Sequence, residues 1–479
     1  MTANFFISNG NKFLLYDWQQ DAKSKWEQKK CGIVQATTGS GKSRVAHAVI
    51  VEWLKNPNGV VTVVVPQIGL ATQWRIQLEE ILGIEVGQVQ GSKKVWNSRI
   101  NVIVINTAAK LLPAKDYSNK NHLIVADECH RMAAPTFARC FTADHDATLG
   151  LSATPEREDT GLDVVSELLG EVIYTYGYEE ALKAGVISDF EVRAVQIPLT
   201  AFEQKKHDDA HNAIISLSRS LNARYGGGNL IATCQKLLAR GTDDTSVGGF
   251  LKAIRERKEI LNGARNRFAA LDLLMHKHKS NKKMVFHESL EDLDRLEGRY
   301  SHLNPLVYHS KKTAKNRRES LAKFSASSQG LLLSCRALVE GIDIPDADVG
   351  VMVSGTRSVR SRIQTIGRLL RKGGKEQPKI YLFYVPKTSD EKAITNLIAK
   401  GFPKDKLAFY CYDATTQSIT PTTVNLNSLK SNYQPRNYSP QHCKKCDRTF
   451  KSVVGLNNHH CVPLEDMSWE QFMSGFKKD

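Results

Sequence analysis

One eight-residue stretch restricts the possible folds of this chain more than any other: Ala-Thr-Thr-Gly-Ser-Gly-Lys-Ser at positions 36–43. A short apolar run precedes it, and a helical pattern of apolar residues follows it. Gly39 and Gly41 allow backbone conformations that a Cβ would disfavour, so that successive N–H groups can turn inward towards an anion. The N-terminus of the following helix adds partial positive charge there. The stretch therefore predicts a strand, a phosphate-binding loop and a helix.

The side chains of this loop predict the kind of phosphate that it binds. Lys42 is placed to reach the β- and γ-phosphates of a nucleoside triphosphate, and the hydroxyl of Ser43 is placed to hold Mg²⁺. An alternative is a glycine-rich turn before an ordinary helix, but the Lys-Ser pair and both flanking elements would then coincide by accident. The predicted nucleotide contacts are Thr37, Thr38, Gly39, Ser40, Gly41, Lys42 and Ser43.

The composition indicates a globular protein with a polyanionic partner. The 479 residues suggest about three domains. A net charge of +16 favours nucleic acid over a membrane as that partner, and solubility alone is the alternative explanation of the charge. Because no apolar run is long enough to cross a bilayer and the N-terminus lacks a signal-peptide pattern, we expect a cytoplasmic protein. Six cysteines stand singly, which suits reduced thiols.

Four further apolar runs each end in a polar cluster. They are Val60 to Val65 before Pro66-Gln67, Ile100 to Ile105 before Asn106-Thr107, Leu123 to Ala126 before Asp127-Glu128-Cys129-His130, and Leu149 to Leu151 before Ser152-Ala153-Thr154-Pro155. Strands that alternate with helical segments predict a doubly wound parallel sheet. The loops at the C-terminal ends of such strands form the ligand crevice, so we expect these clusters to line one site.

Two adjacent carboxylates follow the third of these runs. Two such groups side by side need a cation or a proton between them. Asp127 can anchor the Mg²⁺ that also contacts Ser43, and Glu128 is then placed to orient and deprotonate the attacking water. An acidic turn after a core strand is the alternative.

The same pattern of strands returns after a polar, basic and helical stretch. It predicts strands near Met284, Leu306, Leu331, Val349 and Ile380. A helix near Gln364 to Arg371 carries Arg368 and Arg371 on one face. Their guanidinium groups suit a triphosphate that is presented from outside the second lobe. A solvated basic helix, or one that binds only nucleic-acid phosphates, is the alternative.

The residue clusters described above, in their order along the chain, resemble the motifs of a superfamily 2 helicase. Residues 36–43 resemble motif I, Asp127-Glu128-Cys129-His130 a DExH box, and Ser152-Ala153-Thr154 motif III. Gly341 and Asp343 fall in motif V. Gln364, Gly367, Arg368 and Arg371 fall in motif VI, and Trp18-Gln19 resembles the glutamine motif. The sequences at 152–157 and 340–345 are most similar to the branch that includes the XPB helicases, restriction-enzyme motor subunits and phage branch-migration helicases of the UvsW type.

This resemblance implies two RecA-like lobes with ATP between them. Gln19 would contact adenine, and Arg368 and Arg371 would act as arginine fingers, with Gln364 beside them. Gly341 and Asp343 would couple hydrolysis to movement, together with Ser152 and Thr154. The nucleic-acid strand would be contacted near Pro66-Gln67, Thr107, His287, His309-Ser310 and Arg336.

The implied activity is ATP-dependent unwinding or branch migration of forked or branched DNA, in the host cytoplasm if the protein is phage-encoded. The modest size and the lack of a recognisable nuclease segment favour this fork-remodelling type. An RNA helicase and a non-enzymatic nucleic-acid-binding scaffold are the alternatives.

The predicted architecture is α/β, with two RecA-like parallel-sheet lobes, a helical insertion and a small C-terminal zinc-finger-like module. The predicted boundaries are 1–198 for lobe 1, 199–275 for the insertion, 276–400 for lobe 2, 401–440 for a linker, 441–465 for the module and 466–479 for a tail.

Cysteines and histidines cluster in the C-terminal module. Cys443, Cys446 and His459 match the first three ligand positions of a C2H2 zinc finger, and Cys461 is the predicted fourth Zn²⁺ ligand because no histidine stands at the usual spacing. A reduced surface pair or a redox pair of thiols is the alternative. Nearby lysines and arginines favour DNA contact by this module over partner docking.

Overall fold

The computed structural model describes residues 4–132, 134–155, 163–187, 189–226, 229–335, 347–354, 377–399, 402–424, 441–442 and 449–450. Within these ranges the chain forms two eight-stranded sheets, each flanked by helices, and two small hairpins. The prediction of two parallel-sheet α/β lobes is confirmed.

The first lobe and the segment that leaves it contain ten strands and seven helices among the described residues. They are β1 Phe5–Ser8, β2 Asn11–Leu14, α1 Asp17–Lys29, β3 Ile33–Ala36, α2 Lys42–Trp53, β4 Gly59–Val65, α3 Ile68–Leu82, β5 Gly87–Gln90, β6 Lys93–Val95, β7 Ile100–Val104, α4 Ile105–Leu111, β8 Asn121–Asp127, α5 Pro135–Ala138, β9 Ala147–Ser152, α6 Asp163–Leu169, β10 Val172–Tyr176 and α7 Tyr178–Lys183. Short 3₁₀ turns span Leu112–Ala114, Cys129–Arg131 and Arg139–Thr142.

The first sheet has the strand order β10-β3-β9-β8-β4-β7-β5-β6, parallel except for the β5–β6 pair. All seven residues of β4 are buried, as a strand covered by helices on both faces requires. Because β3, β8 and β9 lie side by side, the segments that follow them meet at one edge of the sheet. This edge carries the phosphate loop and both carboxylates.

The second part of the chain begins with β11 Glu191–Gln196 and a helical region, α8 Ala201–Tyr225, α9 Leu230–Ala239, α10 Thr245–Asn262 and α11 Arg265–Lys277. It continues with β12 Lys282–His287, α12 Leu290–Arg299, β13 Leu306–Tyr308, α13 Ala314–Ala326, β14 Gly330–Cys335, β15 Val349–Met352, β16 Lys379–Tyr384, α14 Ser389–Ala399, β17 Leu407–Asp413 and β18 Ser418–Pro421. Ser301–Leu303 and Lys404–Lys406 form 3₁₀ turns.

The second sheet, in the order β13-β14-β12-β15-β16-β11-β17-β18, differs from the sequence prediction at two places. The sequence assigns residues 191–196 to lobe 1, but β11 lies between β16 and β17 and is parallel to both. The sequence assigns residues 401–440 to a linker, but β17 and β18 form the edge of this sheet. Both corrections arise because strand pairing joins segments that are far apart in sequence.

The helical insertion has a core of its own. Leu221, Cys234, Val247 and Phe250 are buried together, from α8, α9 and α10. The next helix, α11, instead packs Leu271 and its neighbours against the second sheet. The inserted unit therefore comprises α8 to α10, and α11 belongs to the second lobe rather than to a 199–275 insertion.

The C-terminal region is described only in part. β19 Gln441–His442 and β20 Thr449–Phe450 pair antiparallel, with Gln441 opposite Phe450. The predicted zinc ligands Cys443, Cys446, His459 and Cys461 lie outside the described residues. In the part of the chain that is described, no three His, Cys, Asp or Glu side chains come together as a metal site. No described helix is long and apolar enough to span a membrane.

Candidate active site

The phosphate loop has the predicted strand–loop–helix form. β3 ends at Ala36, and α2 begins at Lys42. Gly39 and Gly41 have φ angles of 87° and 89°, in the left-handed region that favours glycine. The hydroxyl of Ser40 donates to the carbonyl of Thr37 at 2.7 Å and closes the turn. The Lys42 ammonium donates to the carbonyl of Ala36 at 3.0 Å, so the lysine is held at the base of the loop, where β3 ends.

The side chain of Gln19, on α1, is hydrogen-bonded to this loop. Its Nε2 donates to the carbonyls of Gly41 at 3.0 Å and Ser40 at 3.5 Å. Its Oε1 accepts the backbone N–H of Tyr16 at 2.9 Å. The side chain is 2% exposed, so these bonds form in a site that is largely shielded from water. Gln19 therefore positions the loop in this structure, and its contact with adenine stays a prediction.

We expect Gly41→Ala to weaken nucleotide binding more than it weakens folding. The new Cβ would stand 2.8 Å from Nε2 of Gln19 and would be strained at the positive φ. Gly10 is the matched control, because its φ of 73° is also positive but its Cβ position has no atom within 4 Å. Gly10→Ala carries only the backbone strain of roughly 1–2 kcal/mol. Both variants are compared by thermal unfolding and by titration with a fluorescent ADP analogue. Equal nucleotide affinity in the two variants would contradict the expectation.

The two carboxylates lie at the C-terminal end of β8, as predicted. Asp127 is 7% exposed. Its Oδ2 accepts the indole N–H of Trp74 at 2.8 Å, and its Oδ1 accepts the backbone N–H of Glu128 at 3.0 Å. Glu128 has a φ of 51°, a left-handed conformation that is costly for a residue with a side chain. Such strain is concentrated at functional sites, where it sets the direction of a side chain.

A chain of polar contacts runs from Glu128 to the end of the neighbouring strand. Nδ1 of His130 lies 3.5 Å from Oε2 of Glu128 and 3.3 Å from the hydroxyl of Ser152. The same hydroxyl oxygen accepts the backbone N–H of Thr154 at 3.1 Å. His130 and Ser152 are both buried, so water does not compete strongly for these bonds. The sequence predicted that Glu128, Ser152 and Thr154 belong to one site, and the structure brings them together.

These residues fit a magnesium nucleotide. The hydroxyl oxygen of Thr38 is buried and has no hydrogen-bond partner among the described residues, which is costly unless a ligand supplies one. Gly39 and Gly41 hold the left-handed backbone conformations of a loop whose N–H groups can turn towards an anion. Ser43, at the start of α2, and Asp127 offer hydroxyl and carboxylate oxygens, which are the donors that Mg²⁺ takes beside phosphate and water. The first lobe alone therefore supplies residues for the phosphates and for the metal.

The predicted residues of the second lobe are not all described. Gly341, Asp343, Gln364, Arg368 and Arg371 lie outside the described residues, as does Arg336.

Two of the residues expected to contact a nucleic-acid strand are Gln67 and His287, and Gln67 is the N-cap residue of α3. His287 is buried, and its Nε2 lies 3.2 Å from the carbonyl of Asn262. Burial lowers the pKa of His287. This ring therefore attaches the insertion to β12 and is not accessible to a strand here.

Sequence reasoning missed two side chains beside the carboxylates. Trp74, on α3, is 1% exposed. The ring of His47, on α2, packs edge-to-face against it, with 5.0 Å between the ring centroids. Burial lowers the pKa of His47 to about 3, so this ring is uncharged at neutral pH. Apolar residues recur along α3 at helical spacing, but this pattern carries no sign of the hydrogen bond to Asp127.

Comparison with known families agrees with this geometry. Residues 12–157 match the family described as the res subunit of type III restriction enzymes. Residues 266–373 match the helicase conserved C-terminal domain. The first match covers the phosphate loop, both carboxylates and Ser152, and the second begins within α11. The chain is a superfamily 2 helicase. This helicase is an ATP-dependent enzyme.

Curated relatives of the helicase include several cellular proteins. It is 29% identical over 371 residues to the DNA 3'-5' translocase XPB2 of Sulfurisphaera tokodaii, and the alignment covers 76% of this chain and 80% of the relative. It is 24% identical to the DNA 3'-5' helicase XPB of Mycobacterium tuberculosis, with coverage of 74% and 58%. It is 26% identical to the putative helicase Rad25 of Halobacterium salinarum, with coverage of 75% and 52%. The helicase thus spans little more than half of the latter two.

Solved structures show the same fold. The helicase domain of Hef from Pyrococcus furiosus aligns with a TM-score of 0.50 at 16% identity, over 79% of this chain and 97% of that domain. A type ISP restriction-modification enzyme, LlaBIII, bound to DNA, aligns with a TM-score of 0.53 at 14% identity, over 84% of this chain and 32% of that enzyme.

Proposed function

We propose that the helicase is an ATP-dependent DNA helicase or translocase that acts on forked or branched duplex DNA. One observation carries the ATP-dependent part of the proposal: Lys42, Asp127, Glu128 and Ser152 are gathered at one edge of the first sheet by the pairing of β3, β9 and β8. DNA as the substrate is supported by the names of the XPB relatives and by the net charge of +16.

The residues of the first lobe have separate roles in phosphoryl transfer. The loop amides and Lys42 hold the phosphates, and a bound Mg²⁺ would neutralise charge that develops on them. Ser43 and Asp127 are the residues that would hold this ion. Glu128 orients the attacking water and accepts its proton. The fixed hydrogen bonds at Asp127 hold that carboxylate in place before ATP arrives.

The second lobe supplies the remaining charge in this proposal. Arg368 and Arg371 neutralise the γ-phosphoryl group from outside, and Gln364, Gly341 and Asp343 lie in the motifs beside them. The support is sequence: all five fall within residues 266–373, the helicase C-terminal match. Closure of the lobes on ATP and reopening after hydrolysis then moves the enzyme along the DNA.

The contacts from Glu128 through His130 to Ser152 and Thr154 suit a sensor of hydrolysis. They join the residue that activates water to the segment that leaves β9. A change at the γ-phosphate therefore reaches this segment through one buried histidine. This arrangement is what a motor needs in order to couple hydrolysis to movement.

The preference for branched DNA rests on a resemblance in sequence. The resemblance at 152–157 and 340–345 extends to the branch that includes phage branch-migration helicases. Residence in the cytoplasm stays a prediction.

Strand displacement on a panel of substrates tests this function. The panel contains forks, flaps, four-way junctions, blunt duplexes and matched RNA duplexes, each with and without ATP. We expect displacement of forked or four-way DNA at a rate at least about tenfold above that of blunt DNA. Affinity should fall steeply with salt because phosphate contacts release counterions. Stronger ATPase stimulation by RNA than by any DNA would favour the RNA helicase instead.

We further propose that residues 441–465 bind Zn²⁺ through Cys443, Cys446, His459 and Cys461, and that this module contacts DNA. The support is the ligand spacing and the antiparallel pairing of β19 with β20. Cys443 and Cys446 lie between these two strands in the sequence, as the first two ligands do in the hairpin of a zinc finger. Elemental analysis of the purified protein should find about one zinc per chain, and less than half of that in Cys443→Ser. A zinc-free wild-type protein that still binds DNA normally would refute this proposal.

A further inference from the structure

The indole of Trp74, on α3, makes a hydrogen bond to the carboxylate of Asp127 at the end of β8. Its Nε1 donates to Oδ2 of Asp127 at 2.8 Å. Trp74 is 1% exposed and Asp127 is 7% exposed, so the bond is shielded from water. A hydrogen bond to a charged group is stronger than one between neutral groups, and removal of the donor takes this bond away from Oδ2.

This bond fixes the rotation of the carboxylate. Oδ1 is already held by the backbone N–H of Glu128 at 3.0 Å. With Oδ2 held by Trp74, rotation about the Cβ–Cγ bond would break both contacts. The remaining lone pairs of the carboxylate are therefore oriented before a metal binds, which avoids the entropy cost of ordering them later.

The indole also packs against α2. The His47 ring packs edge-to-face with it at 5.0 Å and an interplanar angle of 77°. His47 follows Ser43 by four residues in α2 and so lies on the same face of that helix. Ala71 and Leu78, one turn before and after Trp74 in α3, are fully buried in the core of the lobe. The indole of Trp74 thus lies between α2, which follows the phosphate loop, and the end of β8, which carries Asp127.

We propose that Trp74 is a positioning residue that orients Asp127 for Mg²⁺. This inference rests on the proposed magnesium-nucleotide site. It predicts that loss of the indole N–H weakens the contribution of the metal to nucleotide binding and leaves the contacts of nucleotide with the loop unchanged.

The test compares Trp74→Phe with Trp26→Phe. Trp26 is the matched control, because its buried Nε1 also donates a 2.8 Å hydrogen bond, to the carbonyl of Thr148, in the same lobe. A fluorescent ADP analogue is titrated in EDTA and then over a range of Mg²⁺ concentrations, without nucleic acid. For Trp74→Phe we expect an unchanged affinity in EDTA, within about twofold, and a Mg²⁺ midpoint raised about tenfold, as loss of about 1.4 kcal/mol gives. Trp26→Phe should leave both values unchanged.

A Mg²⁺ midpoint that rises no more in Trp74→Phe than in Trp26→Phe would overturn the inference. Absence of Mg²⁺-dependent nucleotide binding in the wild-type protein would instead overturn the proposed function.

A second test uses the folded wild-type protein, so that it does not depend on how well Trp74→Phe folds. The six tryptophans are labelled with 5-fluorotryptophan, and the Trp74 resonance is assigned by elimination from Phe variants of the other five. Addition of Mg²⁺ to the ADP-bound protein should shift this resonance and leave that of Trp26 in place. A Trp74 resonance that does not respond to Mg²⁺ refutes the inference.

Discussion

Glu128→Gln is expected to reduce ATP turnover by about 10²- to 10⁴-fold, which is the usual contribution of a positioned general base. The amide keeps the size of the side chain and most of its hydrogen-bonding capacity, but it cannot accept a proton from water. Nucleotide affinity should stay within a few-fold of wild type, because the loop and Asp127 are unchanged. Single-turnover phosphate release measures the first quantity, and titration with an ADP analogue measures the second.

The control is Glu52→Gln, which makes the same chemical change on α2. Glu52 forms an exposed ion pair with Lys55 at 2.7 Å, with 51% of its side chain exposed. Such surface pairs contribute little to stability, so its ATP turnover should equal that of the wild type. If Glu128→Gln also turned over ATP at the parent rate, Glu128 would not be the base and the site would be assigned wrongly.

The parts of the fold that were predicted correctly are those that local pattern determines. β4 is a continuous run of apolar and β-branched residues because both of its faces are covered, and its buried length agrees with the predicted Val60 to Val65. The phosphate loop was predicted because its glycines, Lys42 and Ser43 each have a chemical role at a set spacing. Once the strands were placed, the parallel topology brought their C-terminal ends together.

The parts that were missed depend on contacts between distant segments. β11 places Glu191 and Arg193 beside β16, about 190 residues later, and its mixed polar composition does not resemble a buried strand. Arg267 is fully buried and forms an ion pair with Asp390, whereas a lone arginine in a helix is normally exposed. Neither pairing can be predicted without knowledge of the strand order.

The Trp74 contact shows the same limit within the active site. The period of apolar residues in α3 predicts which face is buried, but a buried tryptophan has several possible acceptors. Only the position of α3 against β8 selects Asp127. Likewise, the residues around Gln19 suggested a nucleotide contact, and only the structure shows that both ends of its amide bind the protein.

Lys42→Ala is expected to abolish helicase activity by removing the one loop side chain that carries positive charge. In this structure the Lys42 ammonium lies 3.0 Å from the carbonyl of Ala36, at the base of the loop, so a short movement would bring it to phosphate. Loss of one such donor at a transferring phosphoryl group costs about 10²- to 10³-fold in turnover. Nucleotide affinity should fall as well, unlike in Glu128→Gln, because the lysine also holds the ground-state phosphates.

Measuring the affinity of Lys42→Ala for forked DNA distinguishes loss of a phosphate contact in the nucleotide site from a general loss of positive charge. Lys42 is one of 66 lysines and arginines and lies at the nucleotide loop, so DNA affinity at fixed salt should stay within about twofold of wild type. Lys55→Ala is the control, since it removes the same charge from an exposed position, 64% accessible, just beyond α2. We expect Lys55→Ala to keep full ATP turnover. Because both variants carry the same net charge, an equal loss of turnover in the two would mean that Lys42 acts through overall charge rather than at the phosphates.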